Sequence, residues 1–112
     1  MSSFNNNTQM IGVVRSYHDL AESKLKEEYF VNAGVREGVY RSYYENGQQW
    51  EEVNYINGVR EGFYKSYYSN GQLWEQVNYI NGEREGVFTS YNRNGELEIE
   101  ADYWVLESEV DN

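Results

Sequence analysis

The chain has 112 residues, with Lys+Arg 9 against Asp+Glu 19 for a formal charge of −10, and it contains neither cysteine nor proline. Those figures bound it to one domain and exclude a disulfide scaffold, a thiolate metal site and a cysteine nucleophile. They also remove the basic footprint that nucleic acid or an anionic membrane surface would require.

The first segment, residues 1–11, reads as a polar tail: Met1 to Asn7 holds no basic region and no apolar stretch, and the longest aliphatic run of the chain is Ile11 to Val14. No signal peptide and no membrane span are expected, which places the protein in the cytoplasm, free or within a larger assembly. Residues 12–33 follow as a degenerate unit. Arg15-Ser16-Tyr17 matches Arg41-Ser42-Tyr43 and Tyr29 matches Tyr55 at an offset of twenty-six residues, which reads as a β-hairpin with two extra residues. A short helix is the competing reading, because Leu20, Ala21, Lys24, Leu25, Glu28 and Tyr29 fit one helical face and Asp19 with Glu22 resembles a capping box.

From Gly34 the order of residues becomes periodic. Residues 34–57 and 58–81 agree at nineteen of twenty-four positions without a gap. A third copy, 82–105, keeps Gly82, Gly86, Ser90, Tyr91, Asn94-Gly95 and Tyr103 but carries Glu98 where the others have Trp. An acidic tail, 106–112, closes the chain. Asn-Gly pairs at Asn46-Gly47, Asn57-Gly58, Asn70-Gly71, Asn81-Gly82 and Asn94-Gly95 alternate at spacings of eleven and thirteen, and such pairs mark hairpin turns because both residues tolerate positive φ. Six strands of about six residues are expected between them, at Val39–Tyr44, Trp50–Tyr55, Phe63–Tyr68, Trp74–Tyr79, Val87–Asn92 and Leu97–Tyr103. The fold class is therefore all-β, an elongated single-layer antiparallel meander of stacked hairpins.

Alternation assigns faces. Val39, Arg41 and Tyr43 share one with Phe63, Lys65 and Tyr67, and Tyr40, Ser42 and Tyr44 share the other with Tyr64, Ser66 and Tyr68. Twelve of the nineteen aromatic residues are tyrosine, so both faces are aromatic and the interior is built from rings with wet tips. Tyr43, Tyr67 and Tyr91, with Tyr55, Tyr79 and Tyr103, are the expected structural positions, alongside the glycines Gly38, Gly62 and Gly86 and the turn glycines Gly47, Gly71 and Gly95.

The phrase G-x-R-E-G-x-Y-x-S-Y-Y-x-N-G-Q-x-W-E-x-V-N-Y-x-N, as in Gly58 to Asn81, and its return after twenty-four residues resemble the MORN-repeat variant family, to which small bacterial YwqK-like antitoxins are similar. The resemblance implies a solenoid of β-hairpins and a role in protein contact, either scaffolding or neutralisation of a toxin. Family members usually read Lys-x-His-Gly where this chain has Val35-Arg36-Glu37-Gly38, Val59-Arg60-Glu61-Gly62 and Glu83-Arg84-Glu85-Gly86. Glutamate in place of histidine argues against phosphate or lipid head groups as ligands.

No catalytic residue, metal ligand or cofactor site is expected. The single histidine, His18, has no companion serine in its own unit that is not repeated in every other, and Ser42, Ser66 and Ser90 read as small residues that make room for rings. Glu37, Glu61 and Glu85, like Glu51 and Glu75, recur about 10 Å apart across two strands, too far to share one divalent ion, and read as solvated charge ladders. Arg36, Arg60 and Arg84 run beside them, either screening those charges or covering aromatic faces. Tyr44, Trp50, Tyr68 and Trp74 are the candidate contact residues. They read as core packing, as a protein-binding stripe, or as cages for a small ligand such as a quaternary amine. The expected function is that of a non-enzymatic interaction or assembly module whose partner is a protein or a second copy of the chain. An antitoxin is the alternative, and lipid or small-ligand binding stands third.

Overall fold

The computed structural model describes residues 10–104 of the chain. Most of the N-terminal tail, Val105 and the C-terminal tail 106–112 lie outside the described residues. Ten strands form one antiparallel sheet: β1 (Gly12–Tyr17), β2 (Leu25–Asn32), β3 (Val35–Arg36), β4 (Gly38–Tyr43), β5 (Gln49–Ile56), β6 (Val59–Arg60), β7 (Gly62–Tyr67), β8 (Leu73–Ile80), β9 (Glu83–Tyr91) and β10 (Leu97–Tyr103). Their order is β1-β2-β4-β5-β7-β8-β9-β10, with β3 on β2 and β6 on β5. The meander expected from the turns is therefore present, in a layer that extends 13 Å along its shortest axis. No helix among the described residues is long and apolar enough to cross a membrane.

Residues 12–33 settle as a hairpin. β1 pairs with β2 from Gly12↔Val31 to Tyr17↔Leu25, and seven residues lie between Tyr17 and Leu25 where five lie between Tyr43 and Gln49, which locates the two extra residues in the loop. Asp19 caps no helix. Its carboxylate accepts the backbone N–H of Ser23 and Lys24, at 3.1 and 3.0 Å, and the Ser23 hydroxyl, and so ties that loop.

The Asn-Gly pairs divide into two kinds of turn. Asn57-Gly58 and Asn81-Gly82 have both residues at positive φ (52° and 80°, 51° and 85°), the two-residue turn that matches strand twist, and Ala33-Gly34 adopts the same form at 55° and 78°. At Asn46-Gly47, Asn70-Gly71 and Asn94-Gly95 only the glycine is at positive φ. There the Gly47 N–H donates to Tyr44 O at 2.9 Å and the Tyr44 N–H to Gln48 O at 2.8 Å, a type I turn closed by a left-handed glycine. The freed asparagine side chains then link units: Asn46 Nδ2 donates to Ser69 O at 2.8 Å, and Asn70 Nδ2 to Arg93 O at 3.1 Å.

The interior is thin. Only Val31, Val53, Val77 and Tyr79 are buried apolar residues among those described, with Ser42, Ser66 and Ser90 buried beside them. All sit on one face with Tyr29, Tyr40, Tyr55 and Tyr64, as the pairs Tyr40↔Val53, Ser42↔Glu51 and Tyr64↔Val77 require. Tyr43 and Tyr67 lie on the other face, half-buried opposite Gln49 and Leu73. The serines leave room between the ring columns, as the small-residue reading anticipates.

Candidate functional site

The ring-bearing face is organised in rows that cross the strands, each row repeating every second strand, about 9.6 Å. One row is cationic and aromatic. Arg36 Cζ lies 4.4, 4.9 and 5.5 Å from the ring centroids of Tyr29, Tyr40 and Tyr55; Arg60 lies 5.2 Å from both Tyr64 and Tyr79; Arg84 lies 5.3 Å from Phe88 and 5.5 Å from Tyr103. Arg60 Nη1 also donates to the Tyr79 hydroxyl at 3.1 Å. Of the two roles open to these arginines, covering aromatic faces is the one observed.

The glutamates they were expected to screen have structural partners. Glu37 Oε1 accepts the Asn57 backbone N–H at 2.8 Å and Glu61 Oε1 that of Asn81 at 2.8 Å, so these carboxylates fasten the neighbouring two-residue turns. The solvated-ladder reading is corrected for both residues. Gly38 and Gly62, which follow those glutamates, have the left-handed φ of 87° and 93°.

A second row pairs carboxylates with hydroxyls. Glu27 accepts from Ser16 Oγ at 2.8 Å and from the Tyr40 hydroxyl at 2.7 Å, and Glu51 accepts from Ser42 Oγ at 3.1 Å and from the Tyr64 hydroxyl at 2.9 Å. The Tyr40 and Ser16 hydroxyls hold Glu27 below the usual carboxylate range. Burial, and then the adjoining glutamate, push the Tyr40 and Tyr64 phenols upward. Tyr79 goes the other way: burial would raise it, but the guanidinium groups of Arg84 and Arg60 bring it below its ordinary value.

These shifts have opposite signs in their effect on stability. Tyrosines whose folded pKa is raised contribute stability that is complete below about pH 10 and is lost as pH rises beyond it; Glu27, depressed, contributes above about pH 4.5 and loses its contribution on further acidification. The urea midpoint should therefore fall steeply above about pH 10, and the double variant Tyr40→Phe with Tyr64→Phe should show a shallower fall. Parallel alkaline profiles for the two proteins would show that these phenols do not control it.

The third row holds the candidate contact residues. Ser42 pairs with Glu51 but Tyr43 with Gln49, so Trp50 is an extra residue in β5; Trp74 is its counterpart in β8, between Ser66↔Glu75 and Tyr67↔Leu73. Each bulge breaks the alternation and puts the Trp on the same face as the following glutamate. Trp50 stacks on Tyr44 with centroids 5.2 Å apart and planes at 23°, and Trp74 on Tyr68 at 4.9 Å and 19°. Rings in mutual contact leave no slot between the two members of a pair. The stacks are bound to the next unit, since the Tyr44 hydroxyl donates to Tyr67 O at 2.7 Å and the Tyr68 hydroxyl to Tyr91 O at 2.7 Å. His18 takes the place of Tyr44 in the first unit and donates from Nε2 to Tyr43 O at 2.8 Å, a structural use of the single histidine. Trp50 keeps 40% of its surface exposed, Trp74 is half-buried, and Lys26 and Glu98 occupy the same bulge in the outer units.

The opposite face carries a charge row, Arg15, Glu28, Arg41, Glu52 and Lys65, in which Arg15 meets Glu28 at 2.7 Å and Arg41 meets Glu52 at 3.6 Å. Beside it runs an exposed apolar row of Val13, Phe30, Val39, Phe63 and Val87. Sequence alternation finds these rows. It misses the bulge, because strict alternation puts Trp50 and Glu51 on opposite faces.

No group of three His, Asp or Glu side chains among the described residues could hold a metal ion. The sequence model of the MORN repeat variant family matches residues 36–57, 60–81 and 84–104. The chain matches no curated protein and no solved structure.

Proposed function

The chain belongs to the MORN repeat variant family, and from that premise we propose that it is a non-enzymatic protein-contact module whose partner lies across the strands on the stacked Tyr44–Trp50 and Tyr68–Trp74 pairs. The observation that carries this reading is the recurrence of one solvent-reaching aromatic stack at one bulge in two consecutive units, held in place by hydrogen bonds to the next unit. Rigid Trp and Tyr side chains give large contact area for little loss of rotamer freedom, which is why such residues dominate interface energetics. The spacing of the stacks is fixed by the sheet, so a partner meets two preformed anchors.

Lipid is the less favoured ligand for a reason visible in the cations. Arg36, Arg60 and Arg84 lie over rings, Arg93 lies 5.0 Å from the Tyr68 centroid, and Arg15 and Arg41 are paired with Glu28 and Glu52. With a formal charge of −10 no basic cluster of the four to eight residues typical of a lipid-binding patch is left.

The test is affinity capture from the native source with three proteins: wild type, Trp50→Ala with Trp74→Ala, and Val39→Ser with Phe63→Ser on the opposite face. The tryptophan pair should lose the partner by at least tenfold while the opposite-face pair keeps it. The reverse pattern would move the contact to the other face, and cosedimentation of the wild type with phosphatidylserine vesicles at about 0.15 M salt would replace a protein partner by a membrane.

A further inference from the structure

In the carboxylate row both oxygens receive a hydroxyl in two units, and neither does in the third. Glu27 and Glu51 each receive one serine and one tyrosine hydroxyl. Glu75 occupies the equivalent place, paired in register with Ser66 and Ser90, but the residue diagonal to it is Phe88, which has no hydroxyl to give. Among the described residues Glu75 receives no hydrogen bond from either neighbour. Ser66 Oγ, which should donate to it as Ser42 does to Glu51, makes no well-formed hydrogen bond to the carboxylate and lies nearer the Tyr64 hydroxyl, on a residue 2% exposed. The half-buried Glu75 carboxylate therefore keeps acceptor positions that a donor from outside the chain can fill. Phe88 turns to other work, packing edge-on against Tyr103 at 6.4 Å.

The bulge adds the second half of the site. It places Trp74 on the face of Glu75, its immediate neighbour in sequence, stacked on Tyr68. A carboxylate with open lone pairs, one residue from a half-buried indole on the same face of the sheet, suits one chemical class, a long cationic side chain whose head donates to the carboxylate while its stem or guanidinium packs on the indole. One carboxylate alone does not suit a divalent cation, which needs several oxygens.

We infer that Glu75 is the recognition point for an arginine or lysine side chain of the protein partner, with Trp74 as the platform beside it. This rests on the protein-contact reading above and adds the chemistry of the residue received. It also assigns a role to the departure of the third unit from the repeat: the Tyr-to-Phe change at position 88 opens the acceptor that Tyr40 and Tyr64 close in the other units.

The test is an NMR titration of the full chain, following the glutamate carboxyl carbons and the indole N–H groups, with N-acetyl-arginine methylamide and its neutral citrulline counterpart. The Glu75 carboxyl and Trp74 indole resonances should shift saturably with the arginine probe, at least fivefold more tightly than those of Glu27 or Glu51, and should not respond to citrulline. Phe88→Tyr, which supplies the missing hydroxyl, and Glu75→Gln should each abolish the saturable response, and Phe88→Tyr should raise the unfolding midpoint. Equal responses at all three glutamates, no saturable response, or an unchanged response in both variants would overturn the inference. If the captured partner is lost with Trp50→Ala and Trp74→Ala but fully kept by Phe88→Tyr and Glu75→Gln, the aromatic contact stands and Glu75 has no part in it.

Discussion

Replacing Tyr40 and Tyr64 together by alanine should leave the chain unfolded at room temperature, as read by far-ultraviolet circular dichroism and urea titration. Each ring lies on the face of the buried valines, directly opposite Val53 (2% exposed) or Val77 (1% exposed), beneath an arginine, and bonded to a glutamate. Truncation therefore opens the covered volume formed by the described residues and strips Glu27 and Glu51 of a donor. By analogy with other large aromatic truncations each costs about 3 kcal/mol, and the pair about 6. A thin single layer sits near the lower end of the ~5–15 kcal/mol that domains have in total. The conservative pair Tyr40→Phe with Tyr64→Phe loses only hydrogen bonds to part-exposed carboxylates, about 1.5 kcal/mol each, and should stay folded. Tyr43→Ala with Tyr67→Ala, on the opposite face, should lower the midpoint and keep the fold. If the Tyr40/Tyr64 and Tyr43/Tyr67 alanine pairs melt alike, the two faces share the load equally and the assignment of the core to one of them is wrong.

Deleting residues 58–81 should give a shorter protein that still folds cooperatively. The cut joins Asn57 to Gly82 and so regenerates an Asn-Gly turn of the two-residue kind; every later strand keeps its face because a whole unit has been removed. Glu51 would then meet Ser90 and Phe88 instead of Ser66 and Tyr64, and the loss of one unit with its hydroxyl bond should cost about 2 kcal/mol, a fall of about 10 °C in Tm. Removing residues 58–69 instead joins Asn57 to Asn70. It deletes β6 and β7, so β8 loses its partner on one side and keeps only β9, and the bulged strands β5 and β8 are joined end to end; that protein should not unfold cooperatively. A folded half-unit deletion, seen as a sigmoidal melt, would show that the units are not the cooperative elements of the sheet.

The sequence by itself determined the period, the strands and the two faces of this protein. Asn57-Gly58 turns, and Tyr40 lies opposite in sense to Val39, through interactions that span only a few residues, so these features are legible without knowing what lies across the sheet. It left residues 12–33 undecided, because a helical face and a hairpin are both written there. Pairing decides it: Glu27↔Ser42 and Glu28↔Arg41 give β2 a neighbour that an isolated helical turn would not have. The same limit applies to every charged column. Nothing local to Glu37 indicates that its carboxylate will take the N–H of Asn57, twenty residues on, nor that Arg36 will lie over Tyr29, Tyr40 and Tyr55 rather than screen it. Phe88 is visible in the sequence as a change from Tyr40 and Tyr64, yet its meaning depends on the diagonal neighbour across β8 and β9. Register fixes that neighbour, and register is a property of two strands: it brings Glu75 beside Phe88 and Ser66, which are thirteen and nine positions away in the chain.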